Sequence, residues 1–270
     1  MLSVRPSQED GLPRTAKDAQ RGSVVFENVS LRYPGAGDES LTSVSFAAKP
    51  GQTIGIIGGT GSGKTTLINL IPRFYDATHG RVLVSGMDVT KLSMKALRSY
   101  IAVVPQKAVL FGGTIRSNLL WGNENATEEE LLAAVHTAQA DDVLASKPLG
   151  LDEPVEQGGR NFSGGQRQRL TIARALVKKP DILILDDSAS ALDYATDANL
   201  RRAIREMDNP PTTFIVSQRA ASILHADLII VLEDGQVAGM GTHKALMESC
   251  GVYQEIYSSQ FEKEEVSANG

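Results

Sequence analysis

The chain has 270 residues, 41% of them hydrophobic and 22% charged, ordinary globular values that allow one large domain with a substantial core. A net charge of −5 without a basic stripe argues against a nucleic-acid binder. The single cysteine, Cys250, excludes an internal disulfide, suits a reducing, cytosolic setting and reads as packing. No run of about 18 apolar residues occurs, so no membrane-spanning helix is expected, and the opening residues lack the apolar stretch of a signal peptide.

Residues 1–22 are polar, carry two prolines and read as a linker or arm. From Ser23 the pattern changes. "VVFENVSLRY" alternates and ends in a Pro-Gly turn, "SVSFAA" is a second short strand, and "QTIGIIG" is a compact apolar strand running into glycines. "KTTLINLIPRF" has helical spacing, with Leu67, Leu70, Ile71 and Phe74 on one face. "GRVLVSG" and "YIAVVPQ" are strands. Residues 114–146 read as helical, and Thr127 stands three residues before Glu130, the signature of a capping box. "SGGQRQRLTIARALVKKP" is a long helix opened by Ser163 and stopped before Pro180. Strands recur in "DILILDD", "TTFIVSQ", "ADLIIVLEDG" and "QVAGMG", and the C-terminal "THKALMES" and "GVYQEIYSSQ" are helical.

Strands alternating with helices at both ends, around a helical middle, predict an α/β fold: a mainly parallel sheet core with an inserted helical subdomain. The two early alternating strands suit an antiparallel side sheet.

"GGTGSGKTT", residues 58–66, fits the P-loop pattern G-x-x-x-x-G-K-[ST] through Gly58, Gly63, Lys64 and Thr65, and it joins a predicted strand to a predicted helix. Across Gly58, Gly59, Thr60, Gly61, Ser62 and Gly63, backbone N–H groups turn inward around phosphate oxygens, and the helix start adds positive potential. Lys64 is expected to reach the β- and γ-phosphates of ATP, and the Thr65 hydroxyl, next to Thr66, to bind Mg2+. The second metal holder is the strand "ILILD", whose last residue, Asp186, emerges at the C-terminal edge of the sheet.

The stretch "NFSGGQRQRLTIARALVKKPDILILDDSASALD" resembles the nucleotide-binding domain of ATP-binding cassette (ABC) exporters. "FSGGQ", residues 162–166, looks like the ABC signature, with Phe162 for the more usual leucine. The resemblance covers residues 23–258 and implies a RecA-like P-loop core with antiparallel and helical subdomains. The implied division is an arm over 1–22, the domain over 23–260 and a flexible tail over 261–270. Within the domain, 106–167 would be helical, between core segments 23–105 and 168–260. In such a domain Ser163, Gly164, Gly165 and Gln166 bind the γ-phosphate held by an opposing P-loop, so two cassettes sandwich two ATPs head to tail. Tyr33 matches the aromatic that stacks on adenine. Gln106 matches the glutamine that touches Mg2+ or water, and Asp193 in "SALD" a residue at the dimer seam that equally suits a helix cap. Gln157 in "EPVEQGG" departs from a position that is commonly glutamate.

Two departures touch the chemistry. Asp187 stands where competent cassettes carry the glutamate that polarises the attacking water, and Gln218 where they carry a histidine. His79 and His136 read as surface residues, and no chemistry is assigned to His225 or His243. Asp is shorter than Glu by about 1.5 Å, whereas a general base must lie within about 2.6–3.2 Å of its water. Gln218 retains a neutral hydrogen bond but cannot become cationic near neutral pH.

The pairing resembles the degenerate chain of heterodimeric bacterial exporters. It implies weak hydrolysis by this chain alone, an intact signature serving a partner cassette that carries Glu and His, and transmembrane domains fused upstream in an exporter of multidrug or lipid-like cargo. The domain would then be excised from a longer protein and sit at the cytoplasmic face of the membrane; a natural separate subunit is the alternative. The competing readings are a fully active homodimeric exporter domain and a soluble, non-transport ABC ATPase. Relatives of the latter kind carry two cassettes or a long coiled-coil insertion, and neither occurs in this sequence.

Overall fold

The computed structural model describes residues 20–188 and 190–268, so most of the expected arm lies outside the described residues. Its last residues are tied to the body: Arg21 Nε pairs with Asp181 Oδ1 at 2.7 Å, and the Gly22 amide donates to Ser85 Oγ at 3.0 Å.

The central sheet has six strands in the order β12-β11-β3-β10-β9-β6. These are β3 (Thr53–Gly58), β6 (Ile101–Val104), β9 (Ile182–Asp186), β10 (Thr212–Val216), β11 (Leu228–Glu233) and β12 (Gln236–Gly241). All neighbours run parallel except the β11–β12 hairpin. Continuous burial of "ILIL" in β9 and "TTFIV" in β10 is what a parallel sheet covered on both faces requires. Side chains alternate between two cores: Ile182 and Ile184 point into one, Leu183 and Leu185 into the other.

The first core lies beneath an antiparallel sheet of order β2-β1-β4-β5, made of β1 (Val24–Leu31), β2 (Leu41–Ala48), β4 (His79–Val84) and β5 (Met87–Asp88). Phe26 and Phe46 stack there at 4.5 Å, and Phe214 of β10 meets Phe46 edge-on at 6.4 Å, joining the two sheets. Helix α1 (Lys64–Leu70) fills the space between them with Leu67, Ile68 and Leu70.

The expected apolar face of α1 needs one correction. Leu67, Leu70 and Ile71 are buried, but Phe74 is 45% exposed. Pro72 cannot continue the ladder of helical donors, and Arg73 turns the chain through a left-handed conformation (φ 54°). Phe74 thus leaves the helix face, and the Arg98 guanidinium lies 5.2 Å from its ring centre. A short helix absent from the sequence reading, α2 (Met94–Ser99), supplies Arg98.

The second core lies under the helical block: α3 (Ile115–Leu120), α4 (Glu128–Thr137), α5 (Asp141–Ala145) and the start of α6 (Gly164–Val177). The Thr127–Glu130 capping box is present with both reciprocal bonds, at 3.0 and 3.3 Å. A two-residue pairing of β7 (Gly113–Thr114) with β8 (Pro154–Val155) closes the block. The suggested boundary at 167 falls inside α6.

The remaining helices are α7 (Tyr194–Arg205), α8 (His243–Ser249) and α9 (Gly251–Ala268), the last running past the suggested boundary at 260. Tyr253 of α9 is fully buried and shares a hydrogen bond with His243 Nδ1 at 2.9 Å; burial pushes its hydroxyl pKa up to about 12. Cys250 is buried against Gly239 and Leu246 of the same corner. His79 and His136 are exposed. No helix among the described residues is long and apolar enough to cross a membrane.

Candidate functional site

The site forms where parallel strands end, the usual place for a ligand in an open α/β sheet. β3 runs out into the glycine loop, β9 into Asp186 and Asp187, β10 into Ser217 and Gln218, and β6 toward Gln106. Register holds these ends together: Asp186 pairs with Val216 across β9 and β10, and the Asp187 amide donates to Val216 O at 2.9 Å.

Two glycines of the loop are sterically required. At Gly58 a Cβ would stand 2.1 Å from Leu232 O of β11. Gly63 caps α1 with φ 96°, and a Cβ there would stand 2.8 Å from Ser40 O. Between them Gly59, Thr60 and Gly61 are exposed, while Ser62 is buried and accepts from the Gly235 amide at 3.2 Å. The Lys64 ammonium folds over this loop, donating to Gly58 O at 2.9 Å and Gly59 O at 2.6 Å. Burial lowers its pKa, and the opposing pull of Asp187 and Asp186 does not reverse that shift.

The Thr65 hydroxyl lies 3.3 Å and 3.5 Å from the two oxygens of Asp186. Burial raises the Asp186 pKa; the Thr65 hydrogen bond works against this, and neighbouring Asp187 adds to it. A half-buried carboxylate and a hydroxyl at this spacing are oxygen donors of the kind Mg2+ takes beside phosphate oxygens, and a cation there would relieve the crowded charge.

Gln106 reaches the same point: its Nε2 donates to Asp187 Oδ2 at 2.8 Å, leaving Oε1 as its side-chain acceptor. Asp187 is in the left-handed region (φ 47°), a conformation aspartate tolerates better than most residues. Gln218 is exposed just beyond β10.

Tyr33 is half-buried beside the loop, its hydroxyl donating to Thr66 Oγ1 at 3.1 Å and its ring meeting Tyr75 edge-on at 4.9 Å. The cleft next to it, about 740 Å³, is lined by residues 36–40, by Gly61, Gly63, Lys64, Thr65 and Thr66, and by Asp234 and Gly235 of the β11–β12 hairpin. The hairpin's part was missed from sequence; its Asp-Gly pair marks a turn but not the neighbour it touches.

The "FSGGQ" segment forms a separate structure. Ser163 caps α6 and Gln166 reaches back, with reciprocal bonds at 3.0 and 3.2 Å. Phe162 is buried, and the Lys147 ammonium lies 4.7 Å from its ring centre. Gly164 is open to solvent, and a Cβ on Gly165 would stand 3.2 Å from Ala191 O, placing this corner beside residues 190–193. Gly164 lines a second cleft, about 640 Å³, with Gln106, Gln157 and Ala191. The first cleft and the second have no lining residue in common. Asp193 caps α7, accepting from the Thr196 amide at 2.9 Å, which helps hold its pKa low.

Comparison with known proteins fits this arrangement. A family profile described as "ABC transporter" matches residues 41–190, more than half of the chain. An uncharacterized ABC transporter ATP-binding protein of Bacillus subtilis, YfiB, is 45% identical over 250 residues, 93% of this chain and 43% of the relative. An ATP-dependent lipid A-core flippase of Methylobacillus flagellatus is 42% identical over 241 residues, covering 89% and 41%. Among solved structures, a bacterial Atm1-family ABC exporter with ATP bound superposes with a TM-score of 0.86 at 36% identity, over 93% of this chain and 43% of that one. The chain thus spans less than half the length of these relatives. It belongs to the ABC transporter family, as a nucleotide-binding domain of ATPase type.

Proposed function

We propose that this domain binds MgATP in a site that turns over little, and that its signature corner completes the competent site of a second, different cassette. The observation that carries the reading is the pairing of Asp187 with Gln106 at 2.8 Å, beside a fully assembled binding set. Tyr33 supplies the face for adenine, and residues 58–66 with Lys64 hold the phosphates. Thr65 and Asp186, with the Oε1 of Gln106, are the groups that would hold Mg2+. Mg2+, when bound, neutralises charge on the phosphates.

Hydrolysis also asks for a carboxylate that holds the attacking water. The side chain of Asp187 ends about 1.5 Å short of a glutamate, and one of its oxygens is engaged by Gln106. A misplacement of this size costs about a hundredfold in rate. Gln218 offers a neutral amide where a cation-capable ring would serve better.

The separate clefts support a head-to-tail pair. Gly164 and Gly165 open α6 behind the Ser163 cap, where helix-start N–H groups make an anion site, and the cleft that Gly164 lines shares no lining residue with the cleft of Lys64. In this reading the phosphate they meet is that of another subunit, one carrying Glu and His at the two catalytic positions, with Asp193 at the seam. The chain spans less than half the length of its relatives, which leaves room for transmembrane domains; joined upstream of this chain, they would place it at the cytoplasmic face of a membrane and choose the cargo.

The test mixes this domain with an exporter cassette that carries Glu and His. Ser163→Arg in this chain is expected to abolish the turnover of the mixture, and Asp187→Asn to change it by less than about twofold. Loss of turnover with Asp187→Asn and none with Ser163→Arg would assign the roles the other way round.

A further inference from the structure

The segment leaving β10 carries Gln218 toward the nucleotide edge, and it is held from behind by α9. Gln260 Nε2 donates to Gln218 O at 2.6 Å, and Gln260 Oε1 accepts from the Ala220 amide at 2.8 Å. One carboxamide thus satisfies both a carbonyl and an amide of the turn, with the two-point geometry that fixes orientation as well as position. Between these anchors stands Arg219. Its amide donates to Ser217 Oγ at 2.9 Å, its Nη1 to Leu192 O at 3.4 Å and its Nη2 to Ser190 O at 3.2 Å. Its guanidinium lies 5.9 Å from the ring centre of Tyr194. Residues 190–193 in turn adjoin the signature corner, through the approach of Ala191 O to Gly165.

The chain of contacts therefore runs from α9, through the 218–220 turn, to the segment beside "FSGGQ". Helix α9 is itself fixed at its other end: Tyr253 is buried, and Gln254 Nε2 donates to Met247 O at 2.7 Å. We propose that Gln260 is a positioning residue that couples the C-terminal helix to the nucleotide-facing turn and, through Arg219, to the surface offered to a partner cassette. It touches no reacting atom. It sets where Gln218 and residues 190–193 stand when two cassettes close. The partner side of this inference rests on the head-to-tail reading above.

The experiment compares Gln260→Ala with Gln254→Ala in the full chain, mixed with a competent cassette and given MgATP. Both variants remove a hydrogen-bonded carboxamide from α9, two bonds in the first and one in the second, but only the first releases the 218–220 turn. Gln260→Ala is expected to lower kcat about three- to tenfold while KM for ATP stays within about twofold. Gln254→Ala is expected to leave kcat within about twofold. Hydrogen exchange at the Ala220 amide should quicken in Gln260→Ala alone. Equal kcat for the two variants, or unchanged exchange at Ala220, overturns the inference. If the chain proves to turn over without a partner, the same ratio is read on that activity: the reading of Asp187 then fails, and Gln260 stands or falls by its own ratio.

Discussion

Gln106 and Asp187, 81 residues apart in sequence, meet through Nε2 and Oδ2 at 2.8 Å. The bond links the end of one parallel strand to the end of its neighbour, because β6 and β9 pair in register from Ile101–Ile182 to Val104–Leu185. It also occupies one oxygen of Asp187, the carboxylate we propose for the water-polarising position. Restoring reach and charge at once should therefore matter more than either change alone. Asp187→Glu combined with Gln218→His is expected to raise steady-state ATP hydrolysis by the chain about a hundredfold, and each single change by much less. A phosphate-release assay on the three variants checks this; no gain from the double variant would place the impairment elsewhere.

Lys64 gives a prediction in which binding and stability move apart. Its ammonium is buried against Gly58 O and Gly59 O, and burial lowers its pKa. Lys64→Met removes that desolvated charge while keeping the aliphatic stem. ATP affinity should fall about 10- to 100-fold, the scale of a lost charge-assisted hydrogen bond, while thermal stability without nucleotide holds or rises. Nucleotide titration and a melting curve on one preparation give both numbers.

The pH dependence of stability should carry the mark of Asp186. Its pKa is raised in the folded chain, chiefly by burial. Between the ordinary carboxylate value and the raised one, the folded state holds a proton that the unfolded state has released, so stability falls as pH rises through that window. Above it the cost persists until a cation arrives. Asp186→Asn should therefore raise the melting temperature at neutral pH by about 2 °C, flatten the fall, and abolish the added stabilisation by Mg2+ in the presence of ATP. Melting curves across the acid range, with and without MgATP, test all three outcomes.

Much of this site is legible in the sequence, for a physical reason. A phosphate cradle needs glycines and a lysine at fixed spacing along one loop, so Gly58 to Thr66 declare themselves locally. The caps at Thr127 and Ser163 do so as well, since a capping box closes over three residues. Long buried strands such as "ILILD" show as unbroken apolar runs. The two-residue strands β5, β7 and β8 are too short to carry a period. At α1 the helical period continued through Phe74 on paper, although Pro72 and the left-handed Arg73 had already ended the helix. The contacts of Gln106 with Asp187 and of Gln260 with Gln218 join distant residues by side chains with no distinguishing pattern, and only the folded chain reveals them.

The central claim is a grip on nucleotide without the geometry for cutting it, and partner-free hydrolysis measures that most directly. Purified domain at saturating MgATP is expected to release phosphate at about one-hundredth of the rate of its mixture with a competent cassette, or less. Rapid release by the domain alone, at the rate of that mixture, would contradict the account.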